Sequence, residues 1–240
     1  MQDKLKNFSP VYVINLSERK DRKNYIKKHF KKYKVLNYKF IAAIDGRNDR
    51  KEIDKLLHED SFTDDLRNPE IAVIMSHLKA INYWLNNSDS EYAIFCEDDV
   101  DLSTSDLWDF TWEDFIKRVP GKYDVIQMNI TNPRQIPLHE RRRYKEYSAG
   151  CYLITRKHAK RLIKKHIIDG KYKISGNRKE IVADELIYNA EFVYSVGLFT
   201  YKNEESNINP DKINGSHQRS INEVKGYWEK NRSIPIGRKI

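Results

Sequence analysis

The chain has 240 residues, a formal net charge of +9 and an apolar fraction of 39%. Its four Trp and fifteen Tyr exclude the aromatic-poor composition of a disordered chain, and its length suffices for one domain with a core. The positive charge suits nucleotides, phosphorylated glycans, nucleic acid or membrane surfaces without choosing among them. No apolar stretch can span a bilayer and residues 1–10 are polar, so we expect no transmembrane segment and, for a natural chain that begins here, a cytoplasmic location.

Short apolar runs alternate with helical patterns, which is typical of an α/β fold. The predicted strands are 11–16, 38–42, 92–96, 123–129, 151–155 and 193–201. The predicted helices begin near residue 18, at 68–70 with a capping Asn68 before Pro69, near 159 and continuing to 167, and at 183. The charged stretch 47–67 predicts no definite element. We expect one domain over 1–240, with residues 200–240 as a polar tail that packs over it.

Two cysteines, Cys96 and Cys151, lie inside apolar runs. Their spacing is not that of metal ligands or of a disulfide framework. The sequence therefore predicts two buried free thiols.

Three adjacent carboxylates, Glu97, Asp98 and Asp99, directly follow a predicted buried strand. Ligands collect beyond the carboxyl ends of the strands in open α/β sheets. Adjacent carboxylates repel one another, and a hard divalent cation removes that conflict, with water and substrate phosphates completing its shell. We interpret the triplet as a metal-binding loop, with a solvated acidic turn as the alternative.

A second acidic pair, Asp184 and Glu185, lies on a predicted short helix. An acid that faces a cleft there can act as a general base. An acid near a helix N-terminus is also favoured by the helix dipole alone. The pattern by itself favours the dipole interpretation.

Other polar side chains each allow two interpretations. Asn15, Arg19 and Arg22 flank the end of the first strand and can hold a nucleotide, or form a solvated helix face. His77 lies within a predicted helix and is interpreted as a structural residue. His217 lies in a loop-like Asn-Gly-Ser-His segment, where a metal ligand is a hypothesis. No Gly-rich phosphate loop occurs, so a nucleotide would be held largely through metal and side chains.

Six short motifs occur in order between residues 10 and 190 and carry a resemblance to a known family. They are Val11-Tyr12-Val13-Ile14-Asn15-Leu16 with Arg19 and Asp21-Arg22, Ala43-Ile44-Asp45-Gly46, Glu70-Ile71 leading to Ser76-His77, Glu97-Asp98-Asp99-Val100, Ser148-Ala149-Gly150-Cys151-Tyr152-Leu153-Ile154-Thr155, and Asp184-Glu185. In this order they resemble glycosyltransferase family 25, which includes bacterial lipooligosaccharide galactosyltransferases and collagen hydroxylysine glycosyltransferases. The chain departs from the family pattern at Ala72-Val73-Ile74-Met75, where members have Gly-Cys and an apolar pair; we interpret this as a difference in helix packing.

The resemblance implies a GT-A type fold, a single nucleotide-sugar-binding α/β domain with a central, mainly parallel sheet flanked by helices. It implies a UDP-sugar donor bound through a divalent cation, Mn²⁺ or, as the alternative, Mg²⁺. Carried over to this chain, Asp99 is the metal ligand and Glu97 points toward the ribose. His217 lies outside the resembling segment and is a second candidate metal ligand on its sequence setting alone. The other residues assigned to the nucleotide sugar are Asn15, Arg19, Arg22, Asp45, Asp98, Ser148 and Gly150.

The family is regarded as inverting, which implies one displacement at the anomeric carbon with Asp184 or Glu185 as the base, Asp184 being favoured. The expected function is transfer of galactose or glucose to an acceptor hydroxyl. Collagen-type hydroxylysine, or its galactosylated form, is the favoured acceptor and a lipooligosaccharide sugar the alternative. Hypotheses of other classes are a metal-dependent phosphotransferase or nuclease and a noncatalytic glycan-binding relative. Nucleic acid is not an expected partner.

Overall fold

The computed structural model describes residues 3–202 and 215–236. Its strands are β1 (Val11–Asn15), β2 (Tyr38–Ala42), β3 (Tyr92–Glu97), β4 (Val100–Asp101), β5 (Val125–Gln127), β6 (His139–Glu140), β7 (Cys151–Thr155), β8 (Ile167–Ile168), β9 (Lys171–Tyr172), β10 (Val193–Ser195) and β11 (Thr200–Tyr201). Its α-helices are α1 (Lys20–Lys32), α2 (Arg50–Asp54), α3 (Asn68–Asn87), α4 (Trp112–Arg118), α5 (Arg156–His166), α6 (Arg178–Ile181), α7 (Ala183–Ile187) and α8 (Gly215–Lys230). A 3-10 helix, Ser103–Leu107, precedes α4.

A seven-stranded sheet forms the centre of the described residues, in the strand order β2-β1-β3-β7-β5-β10-β6. Strands β2, β1, β3, β5 and β10 run in one direction, and β7 and β6 run against them. The first βαβ unit is parallel, with Val11 opposite Tyr38. The predicted α/β fold with a mainly parallel central sheet is confirmed.

Helices cover both faces of this sheet. Side chains alternate between the faces along each strand. Tyr12 and Ile14 of β1 belong to a buried cluster that α3, α5 and α7 complete. Val11 and Val13 belong to a second cluster on the other face, which α1, α4 and α8 complete. Burial on both faces explains why the central strands are nearly continuous apolar runs in the sequence.

The two cysteines are buried free thiols, as predicted. They lie opposite each other on the antiparallel strands β3 and β7, with their Sγ atoms 3.2 Å apart. The next residue of β3, Glu97, donates its backbone N–H to the carbonyl of Gly150 at 2.9 Å. This register therefore brings the acidic triplet next to the segment that enters β7.

Helix α3 begins close to the predicted position but with a different cap. Arg67 occupies the N-cap position, and the Glu70 carboxylate accepts a hydrogen bond from the Arg67 backbone N–H at 2.9 Å. Asn68 donates its side-chain amide to the Asn48 carbonyl at 3.1 Å. The predicted Asn68 cap is wrong, because that side chain ties the preceding loop to the helix.

The predicted strand over 193–201 is two strands in different sheets. β10 lies in the central sheet, whereas β11 pairs with β4. Between them, a Cβ on Gly197 would lie 2.9 Å from the Ile136 side chain, so the chain passes too close to its neighbour for a side chain at this position. The predicted helix that continued to 167 also extended one residue too far, since Ile167 begins β8.

Four α-helices, α2, α4, α6 and α8, lie in segments where no helix was predicted. Residues 50–54 of the charged stretch form α2, and residues 215–230 of the predicted polar tail form α8. Ile221, Val224 and Trp228 of α8 are buried, three and four residues apart, which is helical spacing. No helix among the described residues is long and apolar enough to cross a membrane.

Candidate active site

Residues from three strands meet at the end of the central sheet where β1 and β3 terminate, which is called the sheet edge below. Asn15 ends β1 and Glu97 ends β3, and these parallel neighbours deliver their carboxyl ends to the same edge. Strand β7 runs the other way, so the segment that precedes it, including Ser148 and Gly150, enters the sheet at that edge. The structure thus brings together motifs that are more than eighty residues apart in sequence.

Asp98, the middle acid of the triplet, is held by two partners. It is buried, and its carboxylate accepts hydrogen bonds from the Asn15 side-chain amide at 2.7 Å and from Arg22 Nη1 at 2.9 Å. Burial raises the pKa of Asp98, although both hydrogen bonds act to lower it. Since its oxygens are already engaged, Asp98 ties β1, α1 and the triplet together.

The two outer acids have fewer compensating contacts. Asp99 lies 3.6 Å from Arg22 Nη1, and its side chain is 18% exposed. Burial, followed by repulsion from Glu97, raises the pKa of Asp99 to about 8. The Glu97 side chain is 33% exposed. These two carboxylates therefore form a partly open acidic position at the sheet edge, where burial and mutual repulsion disfavour a second negative charge.

His77 lies beside Glu97, on the face of the sheet that α3 covers. It lies on α3, is 1% exposed, and its Nδ1 is 3.0 Å from the Tyr152 hydroxyl. Its Nε2 lies 3.6 Å from Glu97 Oε1 and makes no hydrogen bond with the described residues. A carboxylate beside Nε2 favours the tautomer with the proton there, so that the Tyr152 hydroxyl donates to Nδ1.

The proximity of His77 to Glu97 was not predicted from the sequence, where His77 was interpreted as a structural residue. A signal for it was present. Ser76 and His77 are polar residues on the apolar side of α3, and a buried polar side chain needs a partner. Ser76 finds one in the backbone N–H of Ile44, which donates to its Oγ at 2.8 Å.

Helix α7 carries the second acidic pair, and its two acids differ in their surroundings. Asp184 is half-buried and accepts the backbone N–H of Ser148 at 2.7 Å. Burial raises the pKa of Asp184, and the charge of Glu97 acts in the same direction. Glu185 is 1% exposed and pairs with Arg141 at 2.9 Å. The long-range partner of Glu185 was not predicted from the sequence.

Ser148 and Gly150 form a tight connection into β7. Ser148 has a φ of 109°, and its hydroxyl donates to Asn129 Oδ1 at 2.7 Å. The N–H of Gly150 donates to that same hydroxyl oxygen at 3.0 Å. A Cβ on Gly150 would also lie 3.0 Å from that oxygen, so a larger residue at this position would push against the Ser148 hydroxyl. The hydrogen bonds fix this connection between Asp184 and Glu97.

Two predicted nucleotide residues, Arg19 and Asp45, pair with charged side chains that do not belong to the acidic triplet. The Arg19 side chain contacts Asp21, with Nε 3.0 Å from Oδ1, although its backbone carbonyl accepts from Asn15 at 3.3 Å. Asp45 pairs with Arg47, whose Nε lies 2.9 Å from its Oδ1. Each of these contacts joins the side chain to a residue two positions along the chain.

His217 lies in the first turn of α8, so the prediction of a loop-like setting is wrong. Its Nδ1 is 2.8 Å from the Tyr201 hydroxyl. Tyr201 is paired in β11 with Val100, the residue after Asp99. Among the described residues, no group of three or more His, Cys, Asp or Glu side chains is arranged to hold a metal ion.

Comparison with known proteins identifies a family for this chain. The sequence model described as glycosyltransferase family 25 (LPS biosynthesis protein) matches residues 8–168, about two thirds of the chain. The matched segment holds the triplet, His77 and the connection into β7, whereas Asp184 and His217 lie beyond it. No curated protein matches the chain.

Two solved structures show distant likeness. One, a crystal structure of A197 from STIV, is 11% identical with a TM-score of 0.38, over 79% of this chain and 82% of the other. The second, the inositol-1-phosphate CTP transferase from T. maritima, is 10% identical with a TM-score of 0.39, over 94% of this chain and 80% of the other. Both likenesses are too distant to bear on function. The family match, on a mainly parallel sheet whose edge gathers the resembling motifs, shows that the chain belongs to glycosyltransferase family 25.

Proposed function

We propose that this glycosyltransferase moves galactose or glucose from a UDP-sugar to a hydroxyl of a lipooligosaccharide-type acceptor, with inversion at the anomeric carbon. One observation carries the proposal: the partly open carboxylates Glu97 and Asp99 lie at the ligand-binding edge of the sheet, with Asp184 on the adjoining segment. Together they provide a position for a donor and, beside it, a group able to accept a proton.

A divalent cation, Mn²⁺ or Mg²⁺, fits the charge of this position. Burial and repulsion disfavour the ionised form of Asp99, and a cation would relieve that conflict. A cation completed by diphosphate oxygens needs only one or two protein ligands. Asp99 would supply one, and His217 would bind through Nε2, since Nδ1 is engaged by Tyr201. When bound, the cation neutralises the charge of the departing UDP diphosphate.

The donor half of the site is assigned to residues near β1 and β3. Arg22 lies between two acids of the triplet, where its guanidinium is placed to meet a phosphate. Glu97 would accept a hydroxyl of the ribose or of the sugar, and His77 would hold Glu97 in position. The hydrogen bond between Asn15 and Asp98 would hold the base of this donor site in place. Arg19, Asp45, Ser148 and Gly150 are proposed to line the donor site more peripherally.

Asp184 is the proposed base. The acceptor oxygen would form a bond to the anomeric carbon while the bond from that carbon to the UDP oxygen breaks, and the acceptor proton would pass to the Asp184 carboxylate. The raised pKa of Asp184, caused first by burial, makes it a better proton acceptor than an ordinary aspartate. The Ser148 N–H orients the carboxylate. Glu185 is a weaker candidate, because the buried ion pair with Arg141 engages it.

The choice of acceptor rests on the family description and on charge. The sequence favoured a collagen-type acceptor, but the matching family is described as an LPS biosynthesis protein. The net charge of +9 also suits an anionic glycan better than a Lys-rich protein. We therefore propose a lipooligosaccharide acceptor, and the test compares it with a hydroxylysine peptide.

The test measures UDP release and product formation. Wild-type protein is supplied with UDP-galactose or UDP-glucose and Mn²⁺, with or without EDTA, first alone and then with lipid-free lipooligosaccharide core or hydroxylysine peptide. The expected result is Mn²⁺-dependent release that the core oligosaccharide stimulates, with a product of inverted anomeric configuration by NMR. Stimulation only by the peptide would replace the acceptor, and no release with either sugar would refute the donor assignment.

A matched pair of variants tests the site itself. Asp99→Asn removes the proposed metal ligand, and Asp89→Asn removes an exposed carboxylate at the opposite end of β3. Release should be lost in the first and retained in the second. Equal activity in both would show that Asp99 is not a ligand on which release depends.

A further inference from the structure

Residues 141–148 form a loop whose exposed side chains are cationic and aromatic. Arg142, Arg143 and Lys145 are exposed, and the rings of Tyr144 and Tyr147 are 39% and 40% exposed. The one acid of the loop, Glu146, is fully buried and paired with His139 at 2.7 Å. The outer surface of the loop therefore presents three cationic side chains and two rings, with no exposed acid among its residues. One of the three, Arg143, also lies 3.8 Å from the buried Glu185 carboxylate.

Both carboxylates of α7 hold this loop in place. Glu185 accepts the backbone N–H of Tyr144 at 3.2 Å and pairs with the buried Arg141 guanidinium. Asp184 accepts the backbone N–H of Ser148 at 2.7 Å. Tyr144 and Ser148 have φ angles of 60° and 109°, a region that residues with side chains seldom adopt.

Other contacts make the loop rigid. The Tyr147 hydroxyl donates to the carbonyl of Tyr144, and the backbone of Tyr147 pairs with Thr131. The Arg141 guanidinium lies 4.6 Å from the centre of the Tyr188 ring, and the Tyr188 hydroxyl donates to the Ser148 carbonyl at 2.7 Å. A loop ordered in this way loses little conformational entropy when a ligand binds to it.

The loop leads directly to the reacting groups. Ser148, its last residue, contacts Asp184, and Gly150, two residues later, is hydrogen-bonded to the backbone of Glu97. A ligand on the loop would therefore lie beside the proposed base, on the side of α7, while the donor residues come from β1, β3 and α1.

From this placement we infer that the 141–148 loop is the acceptor-binding site, and that it takes a saccharide bearing phosphate groups. The inference rests on the proposed glycosyl transfer. Arg142, Arg143 and Lys145 would bind the anionic groups, since guanidinium and ammonium groups donate well to phosphate oxygens. The exposed tyrosine rings would pack on the apolar face of a sugar ring, because an aromatic side chain offers a large apolar surface with a polar tip.

The experiment measures acceptor binding directly, so that it does not depend on turnover. The probes are a phosphorylated, lipid-free lipooligosaccharide core and the same oligosaccharide after phosphatase treatment, titrated by calorimetry. The loop variant R142A/R143A/K145A is compared with K27A/K28A/K31A, which removes three exposed lysines from the later part of α1. A third variant, Tyr144→Asn, removes one ring with a residue that tolerates positive φ.

The loop variant should bind the phosphorylated core about tenfold or more weakly, and the dephosphorylated core almost as wild type does. The lysine control should bind both like wild type, and Tyr144→Asn should weaken both. Equal weakening of both probes by the loop variant would overturn the anionic class, and unchanged binding would overturn the site. A matching loss of UDP affinity would place the loop in the donor site instead.

The same samples separate this inference from the proposed function. Acceptor-free UDP release by the wild-type chain tests the donor chemistry alone. If release is absent but the loop variant loses affinity for the phosphorylated core alone, the loop assignment stands and the glycosyl-transfer proposal fails. If release is present and the loop variant binds both probes normally, the glycosyl-transfer proposal stands and the loop assignment fails.

Discussion

Replacing Asp184 by asparagine and by alanine separates the base from its structural contact. Both changes remove the proton acceptor, so both should lower the transfer rate by about a hundredfold or more, the contribution of a positioned base. At about 1.36 kcal/mol per factor of ten, that is about 2.7 kcal/mol of activation free energy. Only asparagine keeps an oxygen that can accept the Ser148 N–H now bonded to Asp184 at 2.7 Å.

The two variants should therefore differ in stability. Alanine leaves the Ser148 N–H without its partner, which should lower the free energy of unfolding by about 1–3 kcal/mol. Asparagine should not lower it. Burial raises the pKa of Asp184. Keeping this carboxylate ionised in the folded protein therefore lowers the free energy of unfolding as the pH rises above the ordinary pKa of 3.8. The neutral amide of asparagine avoids this loss at pH 7.

The assays are single-turnover transfer, which isolates the chemical step, and urea unfolding of the same preparations. The wild-type rate should also fall as the pH is lowered through the raised pKa of Asp184, since the protonated acid cannot accept a proton. Asp89→Asn, at the opposite end of β3, serves as the control for loss of one carboxylate. Transfer by the Asp184→Asn variant at more than about a tenth of the wild-type rate would place the base elsewhere.

Three further substitutions test other parts of the structure. Asp99→Asn should abolish Mn²⁺ binding measured by calorimetry without lowering stability at pH 7, because burial raises the pKa of Asp99 to about 8; normal Mn²⁺ affinity would contradict this. Glu185→Gln should lower the urea unfolding free energy by about 3–5 kcal/mol, because it leaves the buried Arg141 charge unpaired, and a loss below about 1 kcal/mol would show that the pair is dispensable. Gly46→Ala should destabilise by about 1–3 kcal/mol, because its Cβ would lie 2.4 Å from the Cα of Pro69; an unchanged thermal midpoint would be incompatible with that contact.

Six of the seven strands of the central sheet were predicted because each of them carries a local apolar signal, whereas the two-residue strand β6 was not predicted. The run at 11–16 and the run at 151–155 are buried on both faces, so nearly every residue is apolar. Strand 193–201 was predicted as one element because Gly197 alone does not reveal that Ile136 occupies the space beside it. Helix α8 was missed since only Ile221, Val224 and Trp228 of its sixteen residues mark the buried side.

The sequence named candidate residues for the site but not the contacts among them. Motif position alone separated Asp184 only narrowly from Glu185 as the candidate base. What distinguishes them is Arg141, forty-four residues before Glu185, and the Ser148 N–H, thirty-six before Asp184. Contacts at such separations depend on the strand order, which no local pattern specifies. The proximity of His77 to Glu97 depends on it in the same way.

The direction of β7 has a consequence for how such a protein can diversify. Five residue pairs fix β7 against β3, from Tyr92 opposite Thr155 to Cys96 opposite Cys151. The 141–148 loop precedes this paired segment, so insertions or replacements within the loop need not shift the strand register or move the acids that follow β3. With the proposed acceptor role of the loop, exchanging its residues would change acceptor choice and leave the proposed donor residues in place. Grafting the loop between paralogues is the corresponding route for engineering acceptor choice.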